Sequence, residues 1–240
     1  MTPSIFGRDA GIVLACYVLG SLPFGFIAVR MIGVDITQHG SGATGATNVL
    51  RIAGPAYAIP VVVLDVGKGA LAAYLGLRFL GAGTLGAIIA GTAAVAGHNW
   101  SVFLKFKGGK GVAATAGVVL VAFPALLAIA VGVFVLMVAL TRYVSLGSLL
   151  GSWVAVVVSF TPWYGLIHRA TAVALASLIT YQHRSNIRRL LSGTENKLGV
   201  RVALPPASLK AREGGAGARA NSRAKSSVSD SETRKGGAVQ

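Results

Sequence analysis

The sequence predicts an all-α protein, a polytopic membrane helix bundle, on three observations. Of 240 residues, 54% are hydrophobic and only 12% charged, about half the charge of an average soluble domain, and the mean hydropathy is +0.69. Apolar runs recur from residue 10 to residue 181, the longest reaching the roughly 17–25 residues that cross a bilayer. Basic residues gather in alternate loops between those runs. A soluble fold would have too little polar surface to cover a core of this size.

The apolar runs fall at about 10–32, 52–80, 84–98, 111–123, 124–140, 144–161 and 163–181. The first holds Cys16, the one cysteine, so an intrachain disulfide is excluded. Val13-Leu14-Ala15-Cys16 faintly matches a lipoprotein cleavage site, but the apolar stretch continues well past it, which favours a small buried or lipid-facing thiol. The second run carries Asp65 and Lys68, three residues apart on one helical face. At that depth the expected arrangement is an ion pair turned into the bundle. Phe123-Pro124 divides the fourth run from the fifth. A single helix over 111–140 would be about 45 Å long against a hydrocarbon core of about 30 Å, so two shorter helices are expected. Gly147 and Gly151, each followed by serine, predict close helix packing in the sixth run.

Seven crossings place residues 33–51, 99–110, 141–143 and everything from about 182 onward on one face. Arg30, Arg51, Lys105, Lys107, Lys110, Arg142, Arg184, Arg188, Arg189, Lys197 and Arg201 lie there or at its edges, against Arg8, Arg78 and Arg169 opposite. The bias predicts an outside N-terminus and a cytoplasmic C-terminus. From about Ala203 glycine, alanine, serine, lysine and arginine dominate without apolar periodicity. The chain therefore reads as a membrane domain, residues 1–202, and a disordered basic tail, residues 203–240, with no catalytic part. The net charge of +15 reads as topology signal and anion site rather than nucleic-acid binding.

The chemistry sits in the loops of the basic face. Gly40-Ser41-Gly42-Ala43-Thr44-Gly45 fits G-x-G-x-x-G, and Asp65 lies twenty residues beyond Gly45. A dinucleotide fingerprint needs a preceding strand, and an apolar helix stands there instead. The physics of phosphate binding still applies: bare backbone N–H groups, the donors Ser41, Thr44, Thr47 and Asn48, and a helix opening at Ala46 and running toward Arg51. The second loop ends Lys107-Gly108-Gly109-Lys110-Gly111, which exposes backbone beside cations at a helix start. It is not a Walker loop, because Leu104 stands where the first glycine is required. A third loop gives Arg142-Tyr143-Val144-Ser145, and a fourth runs from His183 through Asn186 to Glu195. No histidine is followed by aspartate at the spacing of the His-Asp acyltransferases, and no cluster of histidine, cysteine and carboxylate suggests a metal.

Together Gly20-Ser21-Leu22-Pro23-Phe24-Gly25, the 40–51 segment, Gly97-His98 with Lys107–Ala113, and His183–Leu190 with Gly193 and Glu195 resemble, in order, the motifs of the bacterial acyl-phosphate:glycerol-3-phosphate acyltransferase family (PlsY) over roughly residues 15–200. One departure is Ala43, where that family usually has asparagine. The resemblance implies an enzyme of the bacterial inner membrane with its active site on the cytoplasmic face. It would move a fatty acyl group from acyl phosphate to the 1-hydroxyl of glycerol 3-phosphate, giving lysophosphatidic acid and inorganic phosphate. That step is the first acylation of phospholipid biosynthesis. No cofactor is implied, and the partners are the two substrates, membrane lipid and a functional link to the enzyme that makes acyl phosphate. Lys110, Ser145, His183 and Asn186 become the expected catalytic residues. Ser41, Gly42, Thr44, Gly45, Asn48, Arg51, Lys107, Gly108, Gly109 and Glu195 become the expected substrate-binding set. A transporter of phosphorylated solutes would instead need charges at matching depth in two repeated halves, and the sequence shows no such repeat.

Overall fold

The computed structural model describes residues 3–202 of the chain; the proposed tail, 203–240, lies outside the described residues. The described part is helical. In order the helices are α1 (Pro3–Ser21), α2 (Phe24–Arg30), α3 (Ala46–Ala53), α4 (Pro55–Phe79), α5 (Thr84–Asn99), α6 (Val112–Ala122), α7 (Pro124–Thr141), α8 (Val144–Ser159), α9 (Leu166–Gln182) and α10 (Arg184–Leu191), with short 3₁₀ turns at Ile36–Gln38 and Val102–Leu104. Each of the seven apolar runs becomes helix. Three segments, Gly7–Arg30, Pro55–Phe79 and Pro124–Thr141, are long and apolar enough to cross a membrane, and α6 and α8 are shorter apolar helices.

Two boundaries differ from the sequence reading, each for a backbone reason. The first run is broken at Leu22-Pro23, because proline brings no N–H to the ladder. The carbonyls exposed by the break are satisfied from other elements: Ser101 Oγ donates to Ser21 O at 2.6 Å, and Lys68 Nζ donates to Leu22 O at 2.9 Å. Within an apolar layer such capping is what makes a broken helix tolerable. The second run begins as a separate eight-residue helix, α3, because Gly54 adopts φ +85° and Pro55 restarts the chain as α4. At Phe123-Pro124 the expected division occurs, with α6 ending at Ala122 and α7 beginning at Pro124.

Helix α4 is the hub, packed against α5 and α6 and touched by α1, α2 and α3; α7 lies on α8, and α8 on α9. Small residues set these distances. A Cβ at Gly69 would stand 2.1 Å from Ala114 O, and one at Gly117 2.0 Å from Val66 O, so α4 and α6 meet backbone to backbone. Gly147 and Gly151 play the same part between α8 and α7, against Phe134 O and Ala130 O. Asp65 and Lys68 form the expected ion pair, 2.8 Å apart with both side chains buried, and His98 Nδ1 lies 3.4 Å from the same carboxylate oxygen.

The glycine contacts generate a paired prediction. Gly69→Ala should lower thermal stability in detergent by about 1–3 kcal/mol, the usual cost of overpacking. Gly132→Ala on α7, where a Cβ meets nothing within 4 Å, should leave the melting temperature unchanged or slightly raised. Equal effects would contradict the packing.

Candidate functional site

The four basic-face loops are tied to one another by hydrogen bonds across long stretches of sequence. Thr44 N donates to Gly108 O at 3.4 Å, Leu198 N to Arg142 O at 2.6 Å and Val202 N to Arg51 O at 3.1 Å. Arg51 Nη2 donates to Asn196 O at 3.2 Å. Beneath them opens a cavity of about 480 Å³, within the usual range for a small-molecule site. Its polar end, next to these loops, holds Lys110, Ser145, His183, Asn186 and Glu195, with Ser41, Gly45, Asn48 and Arg51 also in the lining. The rest of the lining, from α6, α7, α8 and α9, is mostly apolar.

The polar end is one connected network. Lys110 Nζ donates to Asn186 Oδ1 at 2.5 Å. Asn186 Nδ2 donates to Glu195 Oε1 at 2.7 Å, and Ser145 Oγ donates to the same oxygen at 3.0 Å. Arg189 Nε donates to Glu195 Oε2 at 2.7 Å. Burial opposes the charge on Glu195, but the hydrogen bonds from Asn186 and Arg189 outweigh it and hold the carboxyl below the usual carboxylate range. Burial pulls the Lys110 ammonium down to about 8, with Glu195 acting the other way and the charges of Arg189 and Arg51 adding to the fall. Lys110 is therefore still mostly cationic near neutral pH. Burial, reinforced by the charge of Lys110, lowers His183 to about 4, so its imidazole is neutral. Its Nδ1 lies 2.8 Å from Ile179 O, which fixes the proton on Nδ1 and leaves Nε2 with the lone pair.

The structure divides the expected substrate-binding residues into two groups. Ser41, Gly45, Asn48, Arg51 and Glu195 reach the cavity, whereas Gly42, Thr44, Lys107, Gly108 and Gly109 do not line it. Gly42, at φ +69°, turns the chain above Thr37 O. Gly109 is packed on the His98 ring, where a Cβ would stand 2.1 Å from Nε2. Lys107 is exposed and bridges back to Ser101. These residues build the wall and its turns. Asn48 has a second task, since its amide accepts from Ser41 N at 3.1 Å and donates to His39 O and Ala43 O at 3.0 Å each. It therefore shapes the glycine loop as well as facing the cavity.

Two titratable residues outside the expected site set also line the cavity, Asp65 and His98. The signal for them was present. A carboxylate three residues from a lysine inside an apolar run, and a histidine at the end of another, are costly unless they face a polar space.

Comparison with known proteins shows the family. A family model described as glycerol-3-phosphate acyltransferase matches residues 10–193. The glycerol-3-phosphate acyltransferase of Symbiobacterium thermophilum is 46% identical over 186 residues, covering 78% of this chain and 92% of the relative. That of a Thermoanaerobacter species is 45% identical over 192 residues, covering 80% and 96%. Among solved structures, PlsY (YgiH), an integral membrane glycerol 3-phosphate acyltransferase in its glycerol 3-phosphate form, superposes with a TM-score of 0.74 at 38% identity, covering 80% of this chain and 96% of that one. Its lysophosphatidic acid form gives 0.73 at 37% identity with the same coverage.

The network makes Glu195 a keystone of stability. Glu195→Gln should cost about 1.5–3 kcal/mol in thermal unfolding, through weakened charge-assisted hydrogen bonds. A variant as stable as the parent would remove Glu195 from that role.

Proposed function

The chain belongs to the glycerol-3-phosphate acyltransferase family, and from that premise we propose that it transfers a fatty acyl group from acyl phosphate to the 1-hydroxyl of glycerol 3-phosphate. The observation that carries the reading is the Lys110–Asn186–Glu195–Ser145 network beside a neutral His183 at the end of an apolar cavity. A phosphorylated, hydroxylated substrate and an acyl tail would meet there. Acyl phosphate is a mixed anhydride with a good leaving group, so no serine or cysteine nucleophile is needed. The site has to position two phosphates and a hydroxyl and to stabilise developing negative charge.

In this proposal Lys110, Ser145 and Arg51 hold the glycerol 3-phosphate phosphate. The Ser41–Gly45 loop and the start of α3 hold the acyl-phosphate end through hydroxyl and backbone N–H donors. Lys110 takes a phosphate oxygen without leaving Asn186, since an ammonium has three donors. Gly42 and Thr44, with Lys107, Gly108 and Gly109, contribute by fixing the loops. His183 accepts a hydrogen bond from the 1-hydroxyl at Nε2 and aims its oxygen at the acyl carbonyl. The C–O bond to glycerol forms, the bond to phosphate breaks, and the electron pair leaves with inorganic phosphate. With His183 at about 4, the bound phosphate, whose second pKa is about 6, is the better destination for the hydroxyl proton. Glu195 orients Asn186 and Ser145. Ala43 in place of asparagine leaves this loop one side-chain donor fewer.

The placement we propose is seven crossings in the bacterial cytoplasmic membrane, with the N-terminus outside and the site on the cytoplasmic side. The charge asymmetry of the loops supports it. Helix α6 is then a partial span, since its 11 residues reach about 16 Å. The basic tail, 203–240, takes no part in the chemistry.

Purified protein given acyl phosphate and glycerol 3-phosphate, with no thioester, should form lysophosphatidic acid. Solute flux without acylation would point instead to transport. Lys110→Ala should lower kcat/KM by about 10²–10³, on the scale of losing one preorganised charge contact. Wild-type transfer in a folded K110A protein would remove the residue from the site. The kcat/KM profile of the parent should fall as pH rises through about 8, where Lys110 loses its proton. The substrate phosphate titrates near 6, so this alkaline limb belongs to the protein. Lys110→Arg should move it upward, and an unmoved limb would assign it elsewhere.

A further inference from the structure

The cavity is long, and it has a floor. Along α6 its lining begins at Val112 and ends at Phe123, just past the helix; on α9 it begins near Ile179 and ends at Thr171. Eleven residues of α6 correspond to about 16 Å of helix. A hydrocarbon core of about 30 Å is two opposed acyl layers, so one lipid tail reaches about 15 Å. The cavity is therefore about one acyl chain deep.

The floor is built rather than accidental. Helix α6 lies on α4 and α5 while α7 lies on α8, so the two diverge from their junction, and Phe123 sits at that junction with Pro124 after it. Phe123 is 5% exposed and Leu126 beside it 2%. Behind Phe123 stands the His168 ring, with centroids 4.4 Å apart, and behind His168 stands Tyr164 at 5.3 Å. Below this level Val156 and Ser159 are packed away and do not line the space. A flexible tail descending between α6 and α7 meets a braced aromatic ring.

We propose that Phe123, backed by His168, is the stop that sets the longest acyl chain this site accommodates. The proposal rests on the acyl-transfer reading above and adds a selectivity to it. Methylenes that find room in the groove favour transfer; those beyond the ring do not. Each accommodated methylene corresponds to about a fourfold gain in kcat/KM, its transfer free energy expressed as a rate ratio.

The test is competition within a homologous series of saturated acyl phosphates in one detergent, with glycerol 3-phosphate as acceptor, read as the chain distribution of the lysophosphatidic acid formed. Using the same micelles for every protein cancels differences in substrate partitioning. The parent should show a rising preference that breaks at one chain length. Phe123→Ala should shift the break longer, by about two methylenes for the space opened, and Phe123→Leu, the gentler change, should shift it in the same direction. Ala172→Leu, which adds bulk to the groove wall one residue from Thr171, should shift it shorter. The same break in the parent and in every variant that retains transfer overturns the stop. A parent that transfers no acyl chain at all fails at the acyl-transfer reading, and the stop falls with it.

Discussion

The side-chain amide of Asn186 stands between a cation and an anion, and the rest of the site depends on that arrangement. Its carbonyl oxygen takes the Lys110 ammonium and its NH₂ group meets the Glu195 carboxylate. Direct contact between Lys110 and Glu195 would spend the cation on the anion. With the amide interposed, Glu195 still favours the charged form of Lys110 while the ammonium keeps donors for a ligand. Because Asn186 lies on α10, Lys110 before α6 and Glu195 after α10, one amide ties three parts of the chain, and Glu195 adds Ser145 on α8.

That precision is possible because the backbone beneath it is rigid. Helices α4 and α6 touch through glycine, so α6 presents Lys110 from a fixed base. The break at Leu22-Pro23 brings α2 against the glycine loop, where a Cβ at Gly25 would lie 1.8 Å from Thr44 O. The buried pair Asp65–Lys68 is joined to this support, since Lys68 also caps the Leu22 carbonyl freed by the break. A charge pair that is expensive in an apolar layer is thereby linked to the shape of the glycine loop.

Much of this was legible in sequence. The apolar runs, the division at Phe123-Pro124, the Asp65–Lys68 pair and the packing role of Gly147 and Gly151 follow from length, proline chemistry, charge cost and residue size, all of which are local. Lys110, Ser145, His183 and Asn186 could be singled out through the family resemblance that their loops carry. What sequence left hidden is directional. Nothing in Lys107-Gly108-Gly109-Lys110 says that Lys110 turns inward and Lys107 outward; the His98 ring packed on Gly109 decides it. Likewise Asn48 reads as a free donor until its amide is seen spanning Ser41, His39 and Ala43. The helix opening at Ala46 was legible; its stop at Ala53 is set by Gly54-Pro55, a breaker that the surrounding apolar run concealed.

The central claim is that the Asn186 amide holds Lys110 ready for a phosphate. Calorimetric binding of glycerol 3-phosphate to the parent and to Asn186→Leu, a change of similar size that removes both hydrogen bonds, tests it most directly. The account predicts that the variant, still folded, binds about tenfold or more weakly, the loss expected when a charge-assisted contact is misplaced. Equal affinity in the two proteins would contradict it.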